Sequence, residues 1–212
     1  MIYFKGRHFW RPFFLNFKTT TMRYLLFFLL PFQLIAQNLE TSIKYLALGD
    51  SYTIGQSVDV ELRWPNQLSD TLNKLGYTII KNDILATTGW TTENLHYGLK
   101  NSNLDRDYNL VSLLIGVNNF YQGRPVNQFR KELPELIDSA LNYCNQDRNA
   151  LFLVTIPDYG YTPFGKGSQA SISQNTNLYN GIVDSVAQVY GIPVFNITPE
   201  TFFKSSEFVV EA

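Results

Sequence analysis

A single cysteine, Cys144, stands in the 212 residues, so no intrachain disulfide is possible and no thiolate metal cluster can be assembled. Cys144 falls in an apolar helical stretch and reads as a small buried hydrophobe. Histidine is almost as scarce, with only His8 and His96. Glu93 and His96 have Glu-x-x-His spacing but no companion ligands, so no metal site is expected. Beyond residue 39 there are 12 Lys+Arg against 18 Asp+Glu, a balance of −6, which leaves no basic footprint for nucleic acid or an anionic membrane. No internal repeat or low-complexity linker breaks the chain. No multi-glycine loop follows the first strand, which disfavours a flavin or nucleotide phosphate cradle, and no organic cofactor is expected.

The acid-free start has its own reading. Residues 1–39 hold five basic residues, Lys5, Arg7, Arg11, Lys18 and Arg23, and no acid. Arg23 precedes an apolar run from Tyr24 to Leu30, and the small residue Ala36 follows shortly after. A positive start, a short apolar centre and a small residue describe a secretory signal peptide. Residues 1–36 are therefore expected to be a signal peptide, or an upstream extension followed by a signal peptide that begins at Met22. The run is too short and too interrupted for a membrane span, so no stable span is expected after the signal is removed. The expected location is secreted or periplasmic.

After the leader, strand-like and helix-like patterns alternate. Ile43–Leu48 is a short apolar run ending at Gly49, as a buried parallel strand would. Trp64, Leu68, Leu72 and Leu75 recur at helical spacing, with Gly76 as a stop. Further strands are expected at Thr78–Leu85, Leu110–Ile115, Ala150–Ile156 and Pro193–Ile197. Helices are expected over Thr92–Leu99, over Phe129–Leu141 with a kink or restart at Pro134, and from Leu178 to a stop at Gly191. Alternation of this kind implies right-handed crossovers and one α/β domain, its parallel sheet covered on both faces.

Chemistry in such sheets gathers past the carboxyl ends of the strands. Three polar clusters sit there: Gly49-Asp50-Ser51-Tyr52-Thr53, Thr87-Thr88-Gly89-Trp90-Thr91 and Gly116-Val117-Asn118-Asn119. If these ends are neighbours, the Ser51 hydroxyl faces two donors, the Gly89 backbone N–H and the Asn118 side chain. Acyl transfer requires such a nucleophile with donors placed where the carbonyl oxygen becomes negative. Each cluster alone reads as an ordinary turn, and the order of all three on successive strand ends carries the weight. The serine is not in a Gly-x-Ser-x-Gly elbow, because Thr53 occupies the last glycine position. Asp50 and Asp158 read as turn or strand-end residues. Trp90, Tyr121 and Tyr161 are candidates to line the acceptor side.

These blocks, with Ile156-Pro157-Asp158-Tyr159-Gly160-Tyr161-Thr162-Pro163-Phe164, resemble the GDSL-type esterases and lipases of the SGNH hydrolase superfamily over residues 43–200 or so. The resemblance implies a flavodoxin-like three-layer α/β/α sandwich with a five-stranded parallel sheet, and a hydrolase domain over residues 37–212. It implies hydrolysis of a carboxylic ester, such as an acylated carbohydrate or a small ester. By that resemblance Ser51 is the nucleophile, and the Ser51 and Gly89 N–H groups with Asn118 form the oxyanion hole. Many relatives have Asp where Asn119 stands. The family also supplies a base from an Asp-x-x-His motif after the last strand, and none follows Ile197 in this chain. The domain is thus expected to be incomplete at its carboxyl end and impaired in catalysis. The competing expectation is a pseudohydrolase that binds without catalysing. His96 lies after the second strand, the wrong place for the family base, and reads more plainly as a partly exposed surface histidine.

Overall fold

The computed structural model describes residues 42–198. The expected signal segment 1–36, and the stretch after Thr198 in which the base motif is missed, both lie outside the described residues.

Five parallel strands form the sheet: β1 (Ser42–Gly49), β2 (Thr78–Ala86), β3 (Leu110–Leu114), β4 (Leu151–Val154) and β5 (Val194–Phe195), in the order β2-β1-β3-β4-β5. The central position of β1 follows from its sequence. Tyr45, Leu46, Ala47 and Leu48 are fully buried, as a strand covered on both sides requires. The one polar contact there joins two residues that satisfy each other, Tyr45 Oη and Ser112 Oγ at 2.8 Å.

Among the described residues six α-helices connect and follow the strands: α1 (Ser51–Ile54), α2 (Trp64–Lys74), α3 (Thr92–Lys100), α4 (Val117–Tyr121), α5 (Val126–Leu141) and α6 (Gln169–Tyr190). The long helices match the apolar stripes, and Gly76 and Gly191 end α2 and α6 in positive-φ conformations of 94° and 68°. Helix α5 continues through Pro134 with no restart, one of the two outcomes expected there. Its apolar face of Phe129, Leu133, Leu136, Ile137 and Ala140 is wholly buried, and that burial outweighs the single backbone bond Pro134 removes. Helix α6 begins at Gln169, well before the first residue of its apolar stripe. Cys144 is buried as expected, in the turn beyond α5, and burial pushes its thiol up to about 11.

The strand order decides where the site falls. The connection from β1 through α2 leads to β2 on one side, and the later connections through α3, α5 and α6 move steadily the other way. Right-handed crossovers therefore place α2 on one face and α3, α5 and α6 on the other. Side chains link the latter three: Ser139 of α5 meets His96 of α3 at 3.3 Å, and Tyr190 of α6 donates to Asp138 of α5 at 2.9 Å. Among the described residues, the α2 face carries less cover, and an apolar groove of about 650 Å³ lies there between Trp64, Leu68 and Leu72 of α2 and Leu114, Phe152 and Phe195 of the sheet. Neighbouring strands β1 and β3 send their chains in opposite directions, and the crevice so opened at their carboxyl ends is where such sheets bind ligands.

Candidate active site

Strand β1 leaves the sheet through a point too tight for any side chain. A Cβ on Gly49 would lie 2.1 Å from Thr53 Oγ1 and 2.5 Å from the Leu114 carbonyl oxygen. The chain then turns at once into α1. Asp50 caps that helix: its Oδ1 accepts from Tyr52 N at 3.0 Å, and its carbonyl accepts from Thr53 N and Ile54 N. Ser51 is the first helical residue and half-buried, and backbone N–H groups in a first turn have no acceptor within the helix.

Asp50 is fully buried, and its Oδ2 has no hydrogen-bond partner. Burial pushes its carboxyl up to about 7 despite the Tyr52 N–H, which pulls the other way. The Tyr52 phenol is raised as well, first by burial and then by the nearby Asp50, Tyr159 and Asp158.

Asn118 sits in α4, directly past β3, and lines one cavity of about 170 Å³ together with Ser51, Tyr52, Gln56, Tyr121 and Tyr159. Its Nδ2 donates to the Trp90 carbonyl at 3.0 Å, which draws the loop after β2 towards α4. The same loop is held at three more points. Gln122 Nε2 donates to the Gly89 carbonyl at 2.8 Å, and Thr88 Oγ1 donates to Gln56 Oε1 at 2.7 Å. Thr92 N donates to Asn119 Oδ1 at 3.1 Å, while Asn119 Nδ2 donates back to Thr92 Oγ1 at 2.7 Å. Gly89 itself adopts φ 79°, with open space where a side chain would stand. It does not line the 170 Å³ cavity, but its carbonyl is fixed to Gln122, which caps the helix that carries Asn118. The three strand-end clusters thus meet at one rim of the sheet, with Ser51 and Asn118 on a shared cavity and Gly89 tied beside them.

The expected acceptor wall is corrected in part. Tyr121 lines the cavity, but Trp90 and Tyr161 do not. Trp90 packs towards the core, its ring 2.6 Å from where a Cβ on Gly98 would stand, so that only glycine leaves it room. Tyr159, Thr162 and Phe164 take the remaining places. The larger apolar groove shares Tyr52, Tyr159 and Thr162 with this cavity but contains neither Ser51 nor Asn118.

His96 does not line Ser51's cavity. Its Nδ1 faces Ser139 between α3 and α5, and Glu93, three residues earlier, pairs with Arg124 at 3.7 Å rather than with the imidazole. Among the described residues, no group of three or more His, Cys, Asp or Glu could hold a metal ion.

The family profile of the GDSL-like lipases and acylhydrolases matches residues 47–208. The chain belongs to this family. It is a carboxylic ester hydrolase by family, and its Gly49-Asp50-Ser51, within the matched residues, repeats the first three letters of the family's name. Solved structures share the fold. AlinE4, an SGNH-hydrolase family esterase, is 21% identical with a TM-score of 0.54 over 80% of each chain. A member of the lipolytic G-D-S-L family from Veillonella parvula DSM 2008 is 17% identical, with a TM-score of 0.56 over 77% of this chain and 82% of its own. The acetyl xylan esterase AlAXEase is 18% identical, with a TM-score of 0.61 over 78% of this chain and 82% of its own. No curated protein matches the chain.

Proposed function

We propose that this GDSL-family chain transfers the acyl group of a small carboxylic ester, or of an acylated carbohydrate, to Ser51 and then to water. The observation that carries the reading is the shared cavity of Ser51 and Asn118 at the point where the strand order reverses. Ser51 Oγ bonds to the acyl carbon and the alcohol departs with the proton Ser51 gives up; water then bonds to the same carbon, the Ser51 ester bond breaks, and one water proton returns to Ser51 Oγ. The Ser51 and Gly89 N–H groups and the Asn118 amide are the donors for the oxygen that becomes negative in both steps. Neither step calls for a metal or organic cofactor, and the acidic body disfavours nucleic acid as a partner. By its leader the protein is exported, secreted or periplasmic; amino-terminal sequencing of the protein recovered outside the cytoplasm should then begin after Ala36, and an intact Met1 or Met22 there would refute this.

A serine hydroxyl needs a base to take its proton. His96 is the one histidine among the described residues and is held against Ser139, away from this cavity. That placement favours a second reading, a pseudohydrolase that binds an ester without turning it over. The two separate on nitrophenyl acetate. Oxyanion donors and binding alone sustain roughly 10³–10⁴-fold over water in serine hydrolases stripped of triad members. Release faster than that of Ser51→Ala, which keeps only the donor-supported residual rate, with an acyl adduct found on Ser51 by mass spectrometry, is the expected result. Equal rates in the two proteins and no adduct would leave the binding reading standing alone.

A further inference from the structure

We propose that Tyr121 and Phe164 form a stacking shelf for the alcohol half of the substrate, and that this alcohol carries an uncharged ring. The inference rests on Ser51 as the acylated group and concerns the opposite end of the same cavity.

The shelf is built of rings that brace one another. Tyr121 and Phe164 have centroids 6.4 Å apart, and Tyr159 lies 6.3 Å from the first and 6.2 Å from the second. Phe120 stacks on Tyr159 at 6.1 Å within 7° of parallel, and its other contact is the buried Tyr179 at 5.2 Å. The outer rings are thereby anchored to the core, so little ordering is left for a ligand to impose. Yet Tyr121 is 60% exposed and Phe164 55% exposed. Two large aromatic rings fixed from behind by one another and by Tyr159, beside a small cavity, leave apolar surface uncovered on their outer sides.

Charge and exit route narrow the ligand. Every side chain lining the cavity is uncharged in its ordinary state at neutral pH, so nothing there selects an ionised substrate. The alcohol must leave before water can reach the acyl group, which assigns it to the open side, where Tyr121 and Phe164 stand. The open-sided space of about 170 Å³ has room for roughly six water-sized groups, enough for a short acyl group beside Ser51. A flat face of C–H bonds or an aryl face suits a shelf of this geometry.

The test uses the full-length Ser51→Ala protein as a form that binds without acylation. Saturation-transfer NMR is recorded with benzyl acetate, methyl 6-O-acetylglucoside and ring-free ethyl acetate. Ring protons should receive stronger saturation than the ethyl protons, and the ring signal should fall about fivefold when Phe164→Ala or Tyr121→Ala is added and return with Phe164→Tyr. Preference for the glucoside identifies a saccharide alcohol and preference for the benzyl ester an aryl one. Equal saturation of ring and ethyl groups, no saturation of any ligand, or a ring signal indifferent to both alanine variants would overturn the shelf. Turnover lost in Ser51→Ala concerns the nucleophile, whereas the saturation pattern within Ser51→Ala concerns the shelf, so either can fail alone.

Discussion

Replacing Asp50 by Asn should stabilise the protein at neutral pH, even though Asp50 caps the helix that carries the proposed nucleophile. The cap needs only an acceptor for Tyr52 N, 3.0 Å away, and the amide oxygen of Asn supplies one. What changes is the second oxygen, which is buried and without a partner. In the folded chain burial holds the carboxyl at about 7, against an ordinary 3.8. Below that lower value both states are protonated and ionisation costs nothing. As pH rises from about 4 to 7 the unfolded chain gives up a proton that the folded chain retains, so the folded state loses stability over that window and the loss levels off above 7. The difference amounts to about 4 kcal/mol as a ceiling.

Urea denaturation of the wild type and Asp50→Asn from pH 4 to pH 8 isolates this term, because every other titrating group is common to both. The gap between them should widen with pH in favour of the variant, by up to ~2 M in midpoint for a denaturant slope of ~2 kcal/mol/M. Two parallel curves would refute the reasoning. They would mean that Asp50 ionises as an ordinary carboxyl and that its second oxygen is hydrated or hydrogen-bonded in solution.

Asn118→Ala should cut Ser51-dependent turnover of nitrophenyl acetate by roughly 10²–10³-fold, the effect of removing one side-chain donor from an oxyanion site. Built into Ser51→Ala it should lower the slow residual rate as well, since that rate rests on the same donor, and a residual rate indifferent to Asn118 would assign Asn118 a role outside oxyanion binding. His96→Gln should leave turnover within about twofold and lower stability by at most about 1 kcal/mol, since it removes one long hydrogen bond to Ser139. A loss of tenfold or more in that variant would make His96 the base after all.

The parts legible in the sequence are those where burial leaves a one-dimensional trace. Strand β1 is apolar on consecutive positions because the layers on both faces of the sheet bury it, and α2 shows its stripe because Trp64, Leu68 and Leu72 share the side that lines the apolar groove, whereas Leu75, expected in the same stripe, is exposed. The short helices α1 and α4 left no such trace: four or five residues do not complete enough turns for a period to show. The first half of α6 is polar, Gln169-Ala170-Ser171-Ile172-Ser173-Gln174-Asn175-Thr176, and buries only Ile172 and Thr176, so its stripe starts late. The strand-end clusters were legible as a site because parallel topology sends chemistry to carboxyl ends whatever the side chains. Its wall was not. A 3₁₀ turn over Tyr159–Tyr161, capped by Asp158, keeps Tyr159 in the cavity and Tyr161 out of it, and no spacing rule applies within such a turn.

The way the rim is held together bears on how it would respond to pH. Strand pairing brings β1 and β3 side by side, but the loop after β2 must reach α4 across β1, and it is drawn there by side chains. Those side chains are Gln56, Asn118, Asn119 and Gln122, all neutral amides, each bonded to a carbonyl, a hydroxyl or a backbone N–H. An amide neither gains nor loses a proton in the range where proteins are folded, so these clamps keep their strength where a carboxylate or imidazole clamp would not. Carboxylates at Asn118 or Asn119 would also be buried without a paired cation, at several kcal/mol each unless they took up a proton. Asp50 is the exception beneath the rim, and because its cap to Tyr52 N is accepted by either protonation state, its titration changes how stable the fold is while leaving Ser51 where it stands.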